Sequence, residues 1–299
     1  MYTKCRLNGL RVKKEDVRLV LKELNPTGVA VRRSRWLRRR KYFSKGPNFI
    51  WHLDSYDKLN GFIDGFSRKM IWLNAYTTSS DPKLIGGYYI EAVQCLGGCP
   101  RAVRGDLGTE NGKVRDFQRA LRINPPDETL DSYLEGASTA NQRIENWWGF
   151  LHKECMEFWI SLFLDLRDNG FFDGGFLDKR VLQFCCMGLI QDELDDTSRV
   201  WDAHTIRPSS NPNVPSGQPN LMYSLPELYK TRDCLSPADR NLVEQCKSQC
   251  VFRQPIPCDT DVYELCNFVM VENQLNLPRD PYQAIDLYLQ LREKINACL

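Results

Sequence analysis

FIWHLDSYDKLNGFIDGFSRKMIWLNAY, residues 49–76, decides how the chain is to be read. FIWHLDSY (49–56) and KMIWLNAY (69–76) are short runs rich in β-branched and aromatic residues, which predicts strands. GFIDGFS (61–67) supplies a third, short strand and a turn, so the stretch reads as an antiparallel hairpin series. Only eight residues separate Asp54 from Ile63, enough for the end of one strand, a turn and three residues of the next. A second strand that short would weaken pairing on both its sides and leave Asp54 open to a shift of register.

Downstream, Asp81-Pro82 offers an N-cap and a first-turn proline for a helix through IGGYYIEAVQCL, stopped by Gly97-Gly98. Pro100 to Arg104 makes a brief strand with Asp106 at its carboxyl end, where open α/β sheets place their chemistry. Strand, strand, strand, helix, strand is the ribonuclease H-like order, and the expected fold is an α/β mixed five-stranded sheet flanked by helices. Residues 139–166 carry the clearest helix signal: Thr139 and Gln142 form a capping box, and Ile144, Trp148, Leu151, Cys155, Phe158 and Leu162 repeat on one face. Asn141, Glu145, Gly149 and His152 share another, while Trp147 and Trp148 read as core rather than as base-stacking residues. A further helix spans about 178–204, SSNPNVPSGQP (209–219) is a linker by composition, and Asp280-Pro281 starts a last helix with Ile285, Tyr288, Leu289 and Ile295 as its apolar stripe.

Upstream the chain is strongly basic. Residues 1–50 hold fifteen Lys and Arg against three acids, a balance of +12, whereas the remainder holds 25 against 35, a balance of −10. A short helix over 13–24 ends at Asn25-Pro26-Thr27-Gly28, and then Arg32, Arg33, Arg35, Arg38, Arg39, Arg40 and Lys41 interleave with Trp36 and Tyr42. Arginine with intercalated aromatics suits phosphate contact and base stacking; a solvated tail or a nuclear import signal are the plainer readings of the same run. The division expected is a basic helix-turn-helix-like DNA-binding arm (1–46), a ribonuclease H-like core (47–210), and a linker with a helical C-terminal extension (211–299).

Hydrophobic content of 42% with 26% charged residues is ordinary for a soluble globular protein, and no apolar run has the length of a membrane span. The charged N-terminus lacks the apolar stretch of a secretion signal, so a nuclear or cytoplasmic protein with reduced thiols is expected. Three histidines, His52, His152 and His204, do not suffice for a paired-histidine, paired-cysteine zinc module. Cys246, Cys250, Cys258 and Cys266 contain no CxxC pair and read as buried thiols, so no zinc is expected.

A two-metal phosphoryl-transfer site needs carboxylates converging from different elements, because hard cations prefer oxygen ligands. Asp54 in mid-strand, Asp106 after a later strand and Glu145 early on a helix meet that description. WHLDSYDKL, IDGFSRKMIWLN, RGDLGTENG and ANQRIENWW resemble the integrase core family of retroviral integrases and DDE transposases, especially a eukaryotic integrase-like branch, over about residues 9–275. The resemblance places the three catalytic, metal-holding acids on Asp54, Asp106 and Glu145. It implies two Mg²⁺ or Mn²⁺ ions, DNA as partner, a homo-oligomer on that DNA, and strand transfer by an Asp-Asp-Glu triad. Gly108 then serves a tight turn, Asn111 caps the next helix, and Asn141, His152 and Lys153 lie near enough to Glu145 to face a DNA end. Two other functions share the fold: a host-adopted, catalytically inactive nucleic-acid-binding protein, and a ribonuclease H-like nuclease acting on RNA–DNA hybrids.

Overall fold

The computed structural model describes residues 1–29, 43–122, 131–136, 141–209, 211 and 213–297. Strand β1 (Ile50–Tyr56) pairs antiparallel with β2 (Leu59–Asp64), and β2 with β3 (Met70–Ala75). After β4 (Gly98–Cys99), strand β5 (Ala102–Gly105) runs parallel to β1, and β6 (Tyr133–Glu135) runs parallel to β5. The five-stranded sheet has the order β3-β2-β1-β5-β6, the ribonuclease H-like arrangement expected from the sequence. Strand β4 pairs separately with β7 (Ser236–Pro237).

The first hairpin corrects the expectation of a stunted second strand. Strand β2 has six residues, all buried, and is paired along both sides. Its brevity in sequence comes out of the connection instead: Tyr56 faces Leu59 directly, leaving the two-residue turn Asp57-Lys58, with Asp57 in the left-handed region at φ 53°. Aspartate tolerates that conformation better than most residues. Asp54 therefore stays in register, opposite Gly61.

The second turn is organised by Asp64, whose Oδ1 accepts from Asn48 N (2.7 Å) and whose Oδ2 accepts from Phe66 N (3.1 Å), Ser67 N (2.7 Å) and Ser67 Oγ (2.6 Å). Asn48, at φ 58°, is buried and donates from Nδ2 to Asp233 (2.8 Å) while its Oδ1 accepts from Trp51 Nε1 (2.8 Å). The sheet's β3 edge is covered by side chains of a long helix. Gln191 donates to Leu73 O (3.1 Å) and accepts from Ala75 N (3.0 Å), taking the place of a neighbouring strand.

Among the described residues, helices α1 (Tyr2–Leu7) and α2 (Lys14–Leu24) contain no buried side chain. Helix α3 (Pro82–Leu96) starts where Asp81 accepts from Lys83 N (2.9 Å) and stops at Gly97, φ 71°. Helix α4 is Gly112–Leu121. Helix α5 (Gln142–Leu151) passes through one π turn (His152–Met156) into α6 (Glu157–Asp168). The π turn adds a residue to the repeat, so the buried face runs Ile144, Trp148, Leu151, Cys155 and then Trp159 and Leu166. Phe158, expected inside, is exposed, and Leu162 is only partly buried. Thr139 lies outside the described residues, and at the observed N-cap Asn141 makes no side-chain cap bond.

Helix α7 (Phe176–Ala203) covers the same sheet face as α5. Short helix α8 (Pro219–Ser224) brings the Tyr223 hydroxyl to Asn48 Oδ1 (2.9 Å). Helix α9 (Arg240–Lys247) joins α3 and α4 on the opposite face, around Trp51, Leu53, Phe62, Ile85, Tyr89 and Val103. Helices α10 (Thr260–Glu272) and α11 (Pro281–Asn296) pack on α7 and share the core of the first face. Of the expected α11 stripe, Tyr288 and Ile295 are buried, but Ile285 and Leu289 lie at its margin; Ala284, Leu287 and Leu291 complete the face. Cys246, Cys258 and Cys266 are buried and Cys250 partly so. No described helix is long and apolar enough to cross a membrane.

Candidate functional site

The parallel register of β1 on β5 sets the site. His52 is level with Arg104 and the strands run parallel, so Asp54, within β1, and Asp106, the residue after β5 ends, each follow that pair by two residues in the same direction. The sequence interval between the two acids is the same 52 residues as that register offset. Asp54 ends up near a helix because Gly61, its cross-strand partner, carries no Cβ; one there would stand 3.3 Å from the Trp148 ring and from Trp72 O. That opening lets the α5 face lie directly on the hairpin.

Glu145 sits in the first turn of α5, and Asn141 fixes where that turn begins. Asn141 is buried, its Nδ2 donating to Leu53 O (2.6 Å) and its Oδ1 standing 2.6 Å from His52 Nδ1. Because Oδ1 can only accept, His52 must donate from Nδ1. Burial drives the His52 pKa down to about 3, against the opposing effect of the Asn141 bond, so the ring is neutral at physiological pH. Through these two bonds the residue fastens the helix bearing Glu145 to the strand bearing Asp54.

Asp54 is half-buried and both its oxygens are engaged. Oδ1 accepts from Ser55 N (2.9 Å) and Oδ2 from Trp148 Nε1 (3.0 Å). Burial raises its pKa to about 6, the charges of Glu145 and Asp106 push the same way, and the Trp148 and Ser55 donors pull it back. Glu145, exposed on the first turn of α5, is also raised, by partial desolvation and then by Asp106. Asp54 therefore feels the charge of both other carboxylates, and Glu145 that of Asp106. Their chemistry, hard oxygen donors under mutual repulsion, fits divalent magnesium or manganese. In the described conformation they do not form a ready cage: no group of three His, Cys, Asp or Glu side chains among the described residues stands close enough to hold a metal ion.

The loop after Asp106 differs from its sequence reading. Asn111 occupies the N-cap of α4 but makes no side-chain cap bond there. Its Nδ2 instead donates to Asp106 Oδ1 (2.7 Å), joined by Gly108 N (3.2 Å). Gly108 has ordinary extended backbone (φ −64°, ψ 140°), and its lack of a side chain leaves room for the Glu110 carboxylate. His152 is half-buried in the π turn, edge-on to Tyr56 at 6.5 Å, and Lys153 is exposed beside it. Arg32, Arg33, Arg35, Arg38, Arg39, Arg40 and Lys41 lie outside the described residues.

Trp148 is the residue whose role the sequence did not signal. Read as core, it is core, 4% exposed and stacked on Tyr56 at 5.7 Å; its indole N–H nevertheless reaches Asp54. The only available signal was its position three residues after Glu145, on a neighbouring helix face.

No curated protein matches the chain. The integrase core domain matches residues 41–217, more than half of the 299, and this span takes in the hairpin, all five strands of the main sheet, Asp54, Asp106 and Glu145. On that match, and on a sheet of the corresponding order, the chain belongs to the integrase core domain family.

Proposed function

We propose that this chain is an integrase/transposase-type DNA strand-transfer enzyme in which Asp54, Asp106 and Glu145 hold two Mg²⁺ or Mn²⁺ ions. The observation that carries the reading is that Asp54 and Asp106 each follow the paired residues His52 and Arg104 by two positions on parallel neighbours β1 and β5, with the Glu145 helix fastened to β1 through Asn141. Bound ions supply a Lewis acid for in-line displacement at a DNA phosphate by water or a 3′-hydroxyl, without a covalent protein intermediate. The carboxylates serve as the ligands, and the protons that Asp54 and Glu145 retain more readily than ordinary carboxylates leave when they do so. The basic arm, residues 1–46, holds the DNA by phosphate contact through Arg32, Arg33, Arg35, Arg38, Arg39, Arg40 and Lys41, with His152 and Lys153 facing the DNA end; residues 47–210 form the catalytic core and 211–299 support it.

A second reading, a non-catalytic nucleic-acid-binding protein of the same fold, is favoured by one observation: both Asp54 oxygens already accept protein donors. Incubation of the full chain with blunt duplex DNA and Mg²⁺ or Mn²⁺ separates the two. The enzyme reading expects metal-dependent 3′ cleavage or joining that is lost in Asp54→Asn, Asp106→Asn and Glu145→Gln. DNA binding without any such products in the wild type supports the second reading.

A further inference from the structure

We propose that Asn111 is the positioning residue for Asp106: it holds one carboxylate oxygen from the protein side so that the other is presented to a divalent cation. The inference rests on the functional reading above and adds a residue and a role to it. Asn111 is 2% exposed, and its Nδ2 donates to Asp106 Oδ1 at 2.7 Å. Gly108 N donates to the same oxygen at 3.2 Å. Asp106 Oδ2 accepts no hydrogen bond among the described residues, in contrast to Asp54, whose two oxygens are both engaged.

The backbone that carries the donor is held in place. Asn111 N donates to Gly108 O (3.3 Å), closing the loop on itself, and the turn Thr109–Asn111 runs straight into α4. Behind it, Gly105 lets the Tyr133 hydroxyl crowd the backbone beside Asp106: a Cβ at Gly105 would collide with that hydroxyl and lie 3.6 Å from Asn111 Nδ2. Asn111 is buried beside these neighbours, and rotation of the Asp106 carboxylate would break two bonds to one oxygen. Partners one shell out from a metal ligand typically account for about 10- to 100-fold in metal affinity, which sets the size of the effect.

The test is Mn²⁺ titration of the full-length protein by calorimetry, well below the melting temperature, with Asn111→Leu, Asn111→Ala and Asp106→Asn. Asn111→Leu keeps the volume and removes the donor; Asn111→Ala serves if the leucine variant does not fold. The expected result is an Mn²⁺ Kd weakened about 10- to 100-fold in the Asn111 variants with far-UV circular dichroism unchanged. A purely structural role would lower the metal-free melting temperature and leave Kd where it was. An Mn²⁺ Kd within about twofold of wild type in a folded Asn111 variant, with binding abolished in Asp106→Asn, overturns the positioning role and leaves the functional reading standing. If the wild type binds no Mn²⁺, or Asp106→Asn binds it normally, both fall together.

Discussion

Trp148 joins the packing of the fold to the charge state of Asp54, and substitutions there separate the two. Trp148→Ala removes a ring that is 4% exposed, stacked on Tyr56 and seated over Gly61. Large aromatic truncations of this kind cost about 3–5 kcal/mol, a large share of the roughly 5–15 kcal/mol that holds a domain folded. Trp148→Phe keeps most of the ring and deletes only the N–H on Asp54 Oδ2. The Asp54 pKa is raised in the folded protein, from 3.8 to about 6, so its favourable contribution is complete below 3.8 and is lost as pH climbs through 6. Two pKa units correspond to about 3 kcal/mol between those limits. The Trp148 donor lowers that pKa, so deleting it moves the folded-state value higher still and enlarges the loss at neutral pH. Urea unfolding in a chelator should therefore show a deficit for Trp148→Phe that is greater at pH 7.5 than at pH 4.5 by roughly 1 kcal/mol per unit of further shift. A deficit below about 1 kcal/mol in Trp148→Ala would refute the packing, and equal deficits of Trp148→Phe at the two pH values would refute the bond to Asp54.

Asn48→Ala should cost at least about 3 kcal/mol in the same assay, because it strands the buried donors of Trp51 and Tyr223 and puts alanine at φ 58°. Asn48→Gly should recover roughly 1 kcal/mol of that by relieving the backbone, and no recovery would mean that the left-handed conformation is not the strained element. Deleting residues 1–46, which carry most of the +12 balance of the first fifty, should weaken DNA binding and flatten its dependence on salt; unchanged affinity and slope would remove the arm from the DNA-binding account.

The sheet was legible because its signals are local. β-Branched and aromatic runs mark β1 and β3, Asp81-Pro82 and Gly97 mark both ends of α3, and the strand–helix–strand order fixes the parallel neighbour of β1. The 52-residue interval between Asp54 and Asp106 was readable, but that it equals the β1–β5 register was not, since pairing is settled only in three dimensions. The length of β2 was misjudged because a two-residue turn with Asp57 left-handed leaves more chain for the strand than an ordinary loop would. Phe158 and Trp159 exchanged places because a periodic reading assumes an unbroken α-helix and the π turn at His152–Met156 adds one residue. Asn111 and Trp148 carried ordinary local meanings, a cap and a core ring, and their bonds to Asp106 and Asp54 join residues from separate elements or across a loop. In α11 the face was set by contact with α7, which drew in Ala284, Leu287 and Leu291 and left Ile285 and Leu289 at the margin.

The central claim, that Asp54, Asp106 and Glu145 together form a divalent-metal site, is tested most directly by the melting temperature of the full chain with and without Mg²⁺ or Mn²⁺. Burial and mutual repulsion raise the Asp54 and Glu145 pKa values, and an ion that binds the folded state alone must relieve that repulsion and stabilise the fold. At an ion concentration about a hundredfold above Kd the gain is roughly 2.7 kcal/mol, several degrees in melting temperature. The account predicts that rise in the wild type and its near-complete loss in Asp106→Asn, which keeps the shape of the side chain and removes its charge. An unmoved melting temperature in the wild type, or an equal rise in Asp106→Asn, would contradict it.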